Sequence, residues 1–443
     1  MCTTIVVGKN RSATGSVLVA HSEELGRNAA HKVAVSPAFD ARADPCIRLH
    51  SGGELPRSGR CARYLCTKVF SKSHYPGEHT SGVNEHGVAV ANNMALMRGI
   101  PEARAYDVVP GGVIWTEFMQ AVLESARSAR EGVALVGQLC SRYGLSCDSG
   151  TMITVADPDE AWWIELARDG QWVAQRIGPN EVAVRANCYR IGAVDFEDGD
   201  GVMASPTLLS HAESRGWCSP GEAFEFARAY GDPANQGDAY NLDRHAMLEA
   251  RFAGKARLSA ADLMEALRDV YEGTELYLTR PDGSPFRTPV RTIARMNTEA
   301  STVIELRAQL PAGMGHRLWA SLSTSLTGTY VPFHLGIASI ESHYATAGPD
   351  YDPTSAYWLF TELAKLADYG YTRCIGEIRD TWTAFEKETF ASLEEAETKA
   401  LGLPTAEALA LLDAFDQSRA AEAIRTLERL LVRVKTLVYH EAF

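Results

Sequence analysis

A chain of 443 residues with a formal charge of −13 and 22% charged residues has a globular composition, and its acidity argues against a general nucleic-acid-binding role. No apolar run reaches the roughly 20 residues that cross a bilayer, and no basic stretch leads an apolar core at the start, so neither a membrane span nor a signal peptide is expected. Nine cysteines, scattered and without a CxxC pair, suit a reducing, cytoplasmic setting and leave zinc or other metal ligation without support.

Cys2 directly follows Met1 and heads a β-branched run, Cys2–Val7. Its small side chain permits removal of Met1, which would put a thiol and a free α-amine on one residue. The thiolate attacks carbonyls, and an amine with a reference pKa of about 7.7–8.0 takes up a proton near neutrality. Cys2 is therefore a candidate nucleophile carrying its own base, although a buried strand residue is the simpler account. A second short run, Ser16–His21, follows through a glycine-bearing segment, which is a hairpin signal. It ends in His21-Ser22-Glu23-Glu24, where a carboxylate is placed to orient the Cys2 amine or bind a substrate amine.

Gly87–Ala91 reads as a strand that closes on two amides, Asn92 and Asn93. Helical spacing covers Thr116–Ser128 and Arg130–Tyr143. Met152–Ala156, Ala161–Leu166, Trp172–Ile177 and Glu181–Ala186 form a β-meander with Asp157-Pro158-Asp159 and Gly178-Pro179-Asn180 at its turns. Trp162-Trp163 reads as core packing. Asn187 closes the last of these runs. An Asn at a strand end is usually a turn residue, but its amide can also donate to an oxyanion. Arg244 is a candidate for substrate or thiolate contact. Ser259 caps a helix striped by Leu263, Met264, Leu267 and Val270, and strands return at Thr302–Leu306 and His316–Ser321. After Gly348-Pro349-Asp350-Tyr351-Asp352-Pro353 the pattern is helical, with helices after Pro353, around Glu386–Ala400 and over Thr405–Tyr439.

Several segments together resemble the dipeptidase A family of N-terminal nucleophile hydrolases, a group that includes the secernins. They are Cys2–Lys9, Gly82-Val83-Asn84-Glu85-His86-Gly87-Val88-Ala89, Ala156–Trp163, Ala186–Ile191, Tyr271-Glu272-Gly273-Thr274 and Tyr330-Val331-Pro332-Phe333. The resemblance implies an α+β fold, a four-layer αββα sandwich over residues 1–345, with 346–443 as a helical extension packed on it. It implies hydrolysis of small peptides, typically dipeptides with a free amine, without metal or organic cofactor, by a homo-oligomer. Cys2 would be the nucleophile, Asn187 and Asn93 the oxyanion donors, with Asn92 as the rival of Asn93. The family usually shows an Arg-Asn-x-Asp type segment where this chain has His21-Ser22-Glu23-Glu24. His21 thus replaces the Arg that supports the thiolate, and Glu24 takes the place of the Asp that holds the amine; Glu23 and Arg244 are left as substrate contacts. Val270 stands where relatives commonly carry His. These departures keep two other readings open: a specialised amidase or acyltransferase with the same nucleophile, and a secernin-like binding protein.

Overall fold

The computed structural model describes residues 2–24, 29–70, 76–100, 108–146 and 149–440. Two units divide it: Met1–Val19 with Ser36–Tyr64 and His79–Ser259, and Ala20–Val35 with Leu65–Glu78 and Ala260–Phe443.

Strand alternation fixes the layering of the first unit. An antiparallel sheet runs in the order Val202–Ala204, Trp172–Ile177, Ala161–Leu166, Gly150–Ala156, Ala89–Ala95, Pro76–Asn84. Val90 lies opposite Val155 and Asn93 opposite Met152, so the two pairs point to opposite faces. On the Val155 face lie the helices Trp115–Ser125 and Ala129–Tyr143; a Cβ on Gly132 would stand 2.8 Å from Val155 Cγ1. On the Asn93 face lies a second antiparallel pair, Thr3–Val7 with Val182–Arg185. Thr4 Oγ1 donates to Asn93 Oδ1 at 2.7 Å, across the two sheets. Thr3 points the other way and accepts from Arg244 Nη1 at 3.1 Å, which places the helix Ala239–Phe252 on the outer face. The layers are α, β, β and α, the α+β sandwich expected.

The second unit pairs Ala300–Leu306, His316–Leu322 and Val331–His334 antiparallel. It carries the helices Ala260–Leu267, Ala356–Tyr369, Tyr371–Leu401 and Thr405–Tyr439. The last two helices meet the sheet through buried charge. His334 Nδ1 lies 3.0 Å from Asp416 and Nε2 lies 3.0 Å from Glu397. Arg307 Nη1 and Arg317 Nη1 also donate to Glu397, at 2.8 and 2.6 Å. Arg317 and Trp319 Nε1 engage Glu305, the latter at 2.7 Å. Two arginines and His334 face three carboxylates. Burial pushes the His334 ring down, but the Asp416 charge and the Asp416 and Glu397 hydrogen bonds outweigh it and hold its pKa above the ordinary value.

Several boundaries differ from the sequence reading for local reasons. The strand expected to end at Ala91 continues to Ala95, with both asparagines inside it. Asn93 is tolerated there because its amide bonds across the sheets, tertiary context overriding propensity. The first helix stops at Ser125, because Ala126 turns extended and Asn84 Nδ2 takes the Leu123 and Ala126 carbonyls at 3.2 and 2.8 Å. Ser128 then caps the next helix, accepting from Glu131 N at 3.2 Å. The helix expected around Glu386–Ala400 begins at Tyr371. The second strand spans Leu18–Glu23. Trp162 and Trp163 are buried core, as expected. Among the described residues no helix is long and apolar enough to cross a membrane.

Gly137 sits where helix meets sheet. A Cβ there would lie 2.3 Å from Trp172 Cζ2, and the indole is held by Nε1 donating to Ser141 Oγ at 3.0 Å. Gly137→Ala is expected to destabilise the protein by about 1–3 kcal/mol through overpacking. Urea unfolding with an unchanged midpoint would contradict this packing.

Candidate active site

Cys2 is buried at the start of the strand Thr3–Val7; Met1 lies outside the described residues. The Cys2 nitrogen donates to Asn187 Oδ1 at 3.1 Å. Asn187 reaches it because the strand Val182–Arg185, paired with Thr3–Val7, ends just before it. Asn187 Nδ2 donates to Met94 O at 2.9 Å.

Arg244 is the cation of this cluster. It is fully buried on the helix Ala239–Phe252. Nη1 donates to Cys2 O at 2.8 Å and to Thr3 Oγ1 at 3.1 Å. Nη2 donates to Asn187 Oδ1 and Asn241 Oδ1, both at 2.9 Å, and Nε to Tyr240 O at 2.8 Å. All five guanidinium donors are thereby directed at protein acceptors. Because Arg only donates, the Asn187 atom facing it must be the carbonyl oxygen. Toward the Cys2 nitrogen, Asn187 is therefore an acceptor through Oδ1, while its amide nitrogen faces Met94 O.

The paired amides separate. Asn93 Oδ1 accepts from Thr4, and Nδ2 donates to Arg185 O and Ala186 O at 3.3 and 3.1 Å. Both its donors thus serve to tie the two sheets. Asn92, one residue earlier, points to the opposite face of its strand, toward the helical layer.

Around this cluster the first unit is densely charged. Burial raises Glu165 to about 7 against the pull of Arg185, and burial lowers Arg185 to about 10 against the pull of Glu165. Arg185 stacks 4.6 Å over Trp163. Burial pushes the neighbouring Cys188 thiol up to about 11, which keeps it protonated and inert. His245 Nε2 accepts from Ala186 N at 3.3 Å. Burial and the charges of Arg190, Arg185 and Arg244 push it down to about 3.

His21, Glu23 and Glu24 belong to the second unit. His21 Nε2 lies 3.1 Å from Glu23 Oε2, both buried. Burial pushes the Glu23 carboxyl up, but the hydrogen bond and charge of His21 prevail and hold it below its usual range. Glu24 accepts from Ser22 Oγ at 2.8 Å and pairs with Arg291, both side chains fully buried. Tyr271, at a φ of 69°, donates its hydroxyl to Arg291 O at 2.9 Å and so fixes that segment. The buried cation beside Glu24 is supplied from residue 291.

Two of these residues escaped the sequence reading. Arg291 sits in a stretch with no motif. Asn241 carries one signal in the sequence: its spacing of three from an Arg on a helix puts both on one face.

The chain belongs to Peptidase family C69, whose model matches residues 1–384. It is thus a cysteine-type peptidase, an amide hydrolase. A probable dipeptidase of Salmonella dublin is 28% identical over 362 residues, covering 76% of this chain and 81% of its own. A probable dipeptidase B of Lactococcus lactis subsp. lactis is 25% identical over 466 residues, covering 98% and 95%. A solved conjugated bile acid hydrolase of Clostridium perfringens aligns over 72% of this chain and 89% of its own at 12% identity, with a TM-score of 0.38, a likeness too weak to bear on fold or chemistry.

Two measurements probe these clusters. Glu24→Gln leaves Arg291 buried without its anion and is expected to cost about 3–5 kcal/mol; an unfolding midpoint equal to wild type contradicts the pairing. The unfolded chain protonates His245 below pH 6.5, whereas the folded chain keeps it neutral to about 3. The lowered folded value means that this stability is complete above pH 6.5 and is lost as pH falls. The stability of wild type relative to His245→Gln should therefore fall by about 1.4 kcal/mol per pH unit from 6.5 downward. A pH-independent difference contradicts a neutral buried ring.

Proposed function

We propose that the protein is a dipeptidase whose nucleophile is Cys2, exposed as the N-terminal residue by loss of Met1. Family membership and the dipeptidase relatives support the reaction class. The observation that carries the reading is the Cys2 nitrogen held by Asn187 Oδ1, with Arg244 locking both.

The chemistry follows from that placement. In the processed chain the neutral α-amine donates one hydrogen to Asn187 and keeps its lone pair for the thiol proton. The guanidinium beside it disfavours a second positive charge and so favours the neutral, proton-accepting amine. The amine takes the proton from Sγ and the thiolate attacks the peptide carbonyl. The tetrahedral adduct collapses as the ammonium returns that proton to the leaving amine. A water then gives its proton to the amine and attacks the thioester, which releases the acid and regenerates the thiol.

Unblocked dipeptides, N-acetylated dipeptides and simple amides, offered to wild type and to Cys2→Ala after intact-mass confirmation that Met1 is gone, test this. Cleavage of the unblocked dipeptides, lost by roughly 10⁴-fold or more in Cys2→Ala, is expected. Undiminished cleavage by the variant overturns the mechanism, and cleavage restricted to blocked amides favours a specialised amidase.

A further inference from the structure

Asn241 stands behind the groups that touch Cys2. It is buried on the helix Ala239–Phe252, one turn before Arg244. Its Oδ1 accepts from the Asn187 backbone N–H at 3.0 Å and from Arg244 Nη2 at 2.9 Å. Its Nδ2 donates to Asn235 O at 3.0 Å. These partners admit one amide orientation: two donors face the oxygen and one carbonyl faces the nitrogen. A closed ring results, in which Arg244 Nη2 bridges Asn241 Oδ1 and Asn187 Oδ1 while Asn241 Oδ1 also holds the backbone of Asn187. Asn241 makes no hydrogen bond to Cys2, yet it bonds both Asn187 and Arg244, which do.

Resting on the proposed use of Cys2 as nucleophile, we propose that Asn241 is a positioning residue for the reaction. Its oxygen fixes the Asn187 carbonyl and the Arg244 guanidinium against the backbone of Cys2, and through them aims the amine at the thiol. The required feature is an acceptor oxygen at this point of the helix. Asp retains it, whereas Leu has the same branching at Cγ and lacks it. Without the acceptor, Arg244 and the Asn187 N–H each lose a buried partner, and the amine loses its fixed direction rather than the site its substrate.

The test compares wild type, Asn241→Leu and Asn241→Asp, each checked for removal of Met1 and for folding by circular dichroism and urea titration. Dipeptide kinetics are expected to show kcat lowered about 10- to 100-fold in Asn241→Leu with KM within about twofold, and Asn241→Asp within severalfold of wild type. Alkylation of Cys2 by iodoacetamide, followed by peptide mass spectrometry, reads the amine–thiol pair without a substrate and should slow about tenfold in Asn241→Leu alone. A folded Asn241→Leu with wild-type kcat and alkylation overturns the proposal, as does Asn241→Asp impaired equally with Asn241→Leu. If Asn241→Leu does not fold, Asn241→Asp and Asn241→Ala decide, since Asp keeps the oxygen and must retain near-normal Cys2 alkylation whereas Ala lacks it and must slow alkylation. Should the wild type cleave no dipeptide while Asn241→Leu still slows alkylation, the dipeptidase reading falls and the positioning role stands.

Discussion

A single buried cation organises the first unit. Removing a guanidinium from water costs several kcal/mol, and Arg244 offsets this by placing all five donors on oxygen acceptors. Those acceptors come from the first residue of a strand, the end of another strand and its own helix. The same bonds that compensate the charge therefore dictate where Cys2, Thr3, Asn187 and Asn241 lie. Moving any one of them would leave charge or carbonyl unsatisfied in a buried layer, so the geometry around the Cys2 nitrogen is a by-product of neutralising Arg244.

The inter-sheet space follows the same rule. Asn93 binds three partners across it, and Glu165 and Arg185 share it with a tryptophan ring. Polar groups in so enclosed a layer persist where hydrogen bonds and charge pairing offset their burial. Amide side chains suit it because each offers both kinds of group without adding charge. That explains a strand with two adjacent asparagines, which intrinsic preference disfavours.

Much of this was legible before the coordinates. The β-branched run after Cys2, the meander around Trp162-Trp163 and the apolar stripe of the last helix carry periods that only one kind of element satisfies. The layering came from resemblance, since period tells which residues share a face but not what covers it. Site roles were harder. Asn187 is legible as a candidate, but whether its oxygen or its nitrogen faces Cys2 depends on Arg244, which lies 57 positions further on. Asn93 and Asn92 could not be separated without knowing that the strand runs through both. Arg291 was invisible because its partner Glu24 lies 267 positions away, and pairing at that distance leaves no local pattern.

The charge cluster around His334 bears on how the family's edge was drawn. The matched region ends at residue 384, yet Glu397 and Asp416, which neutralise Arg307, Arg317 and His334, lie past that point. The terminal helices are thus electrostatic counterparts of strands inside the shared region, not an interchangeable appendage. A change at Glu397 or Asp416 therefore has to be offset on the strands that carry Arg307, Arg317 and His334.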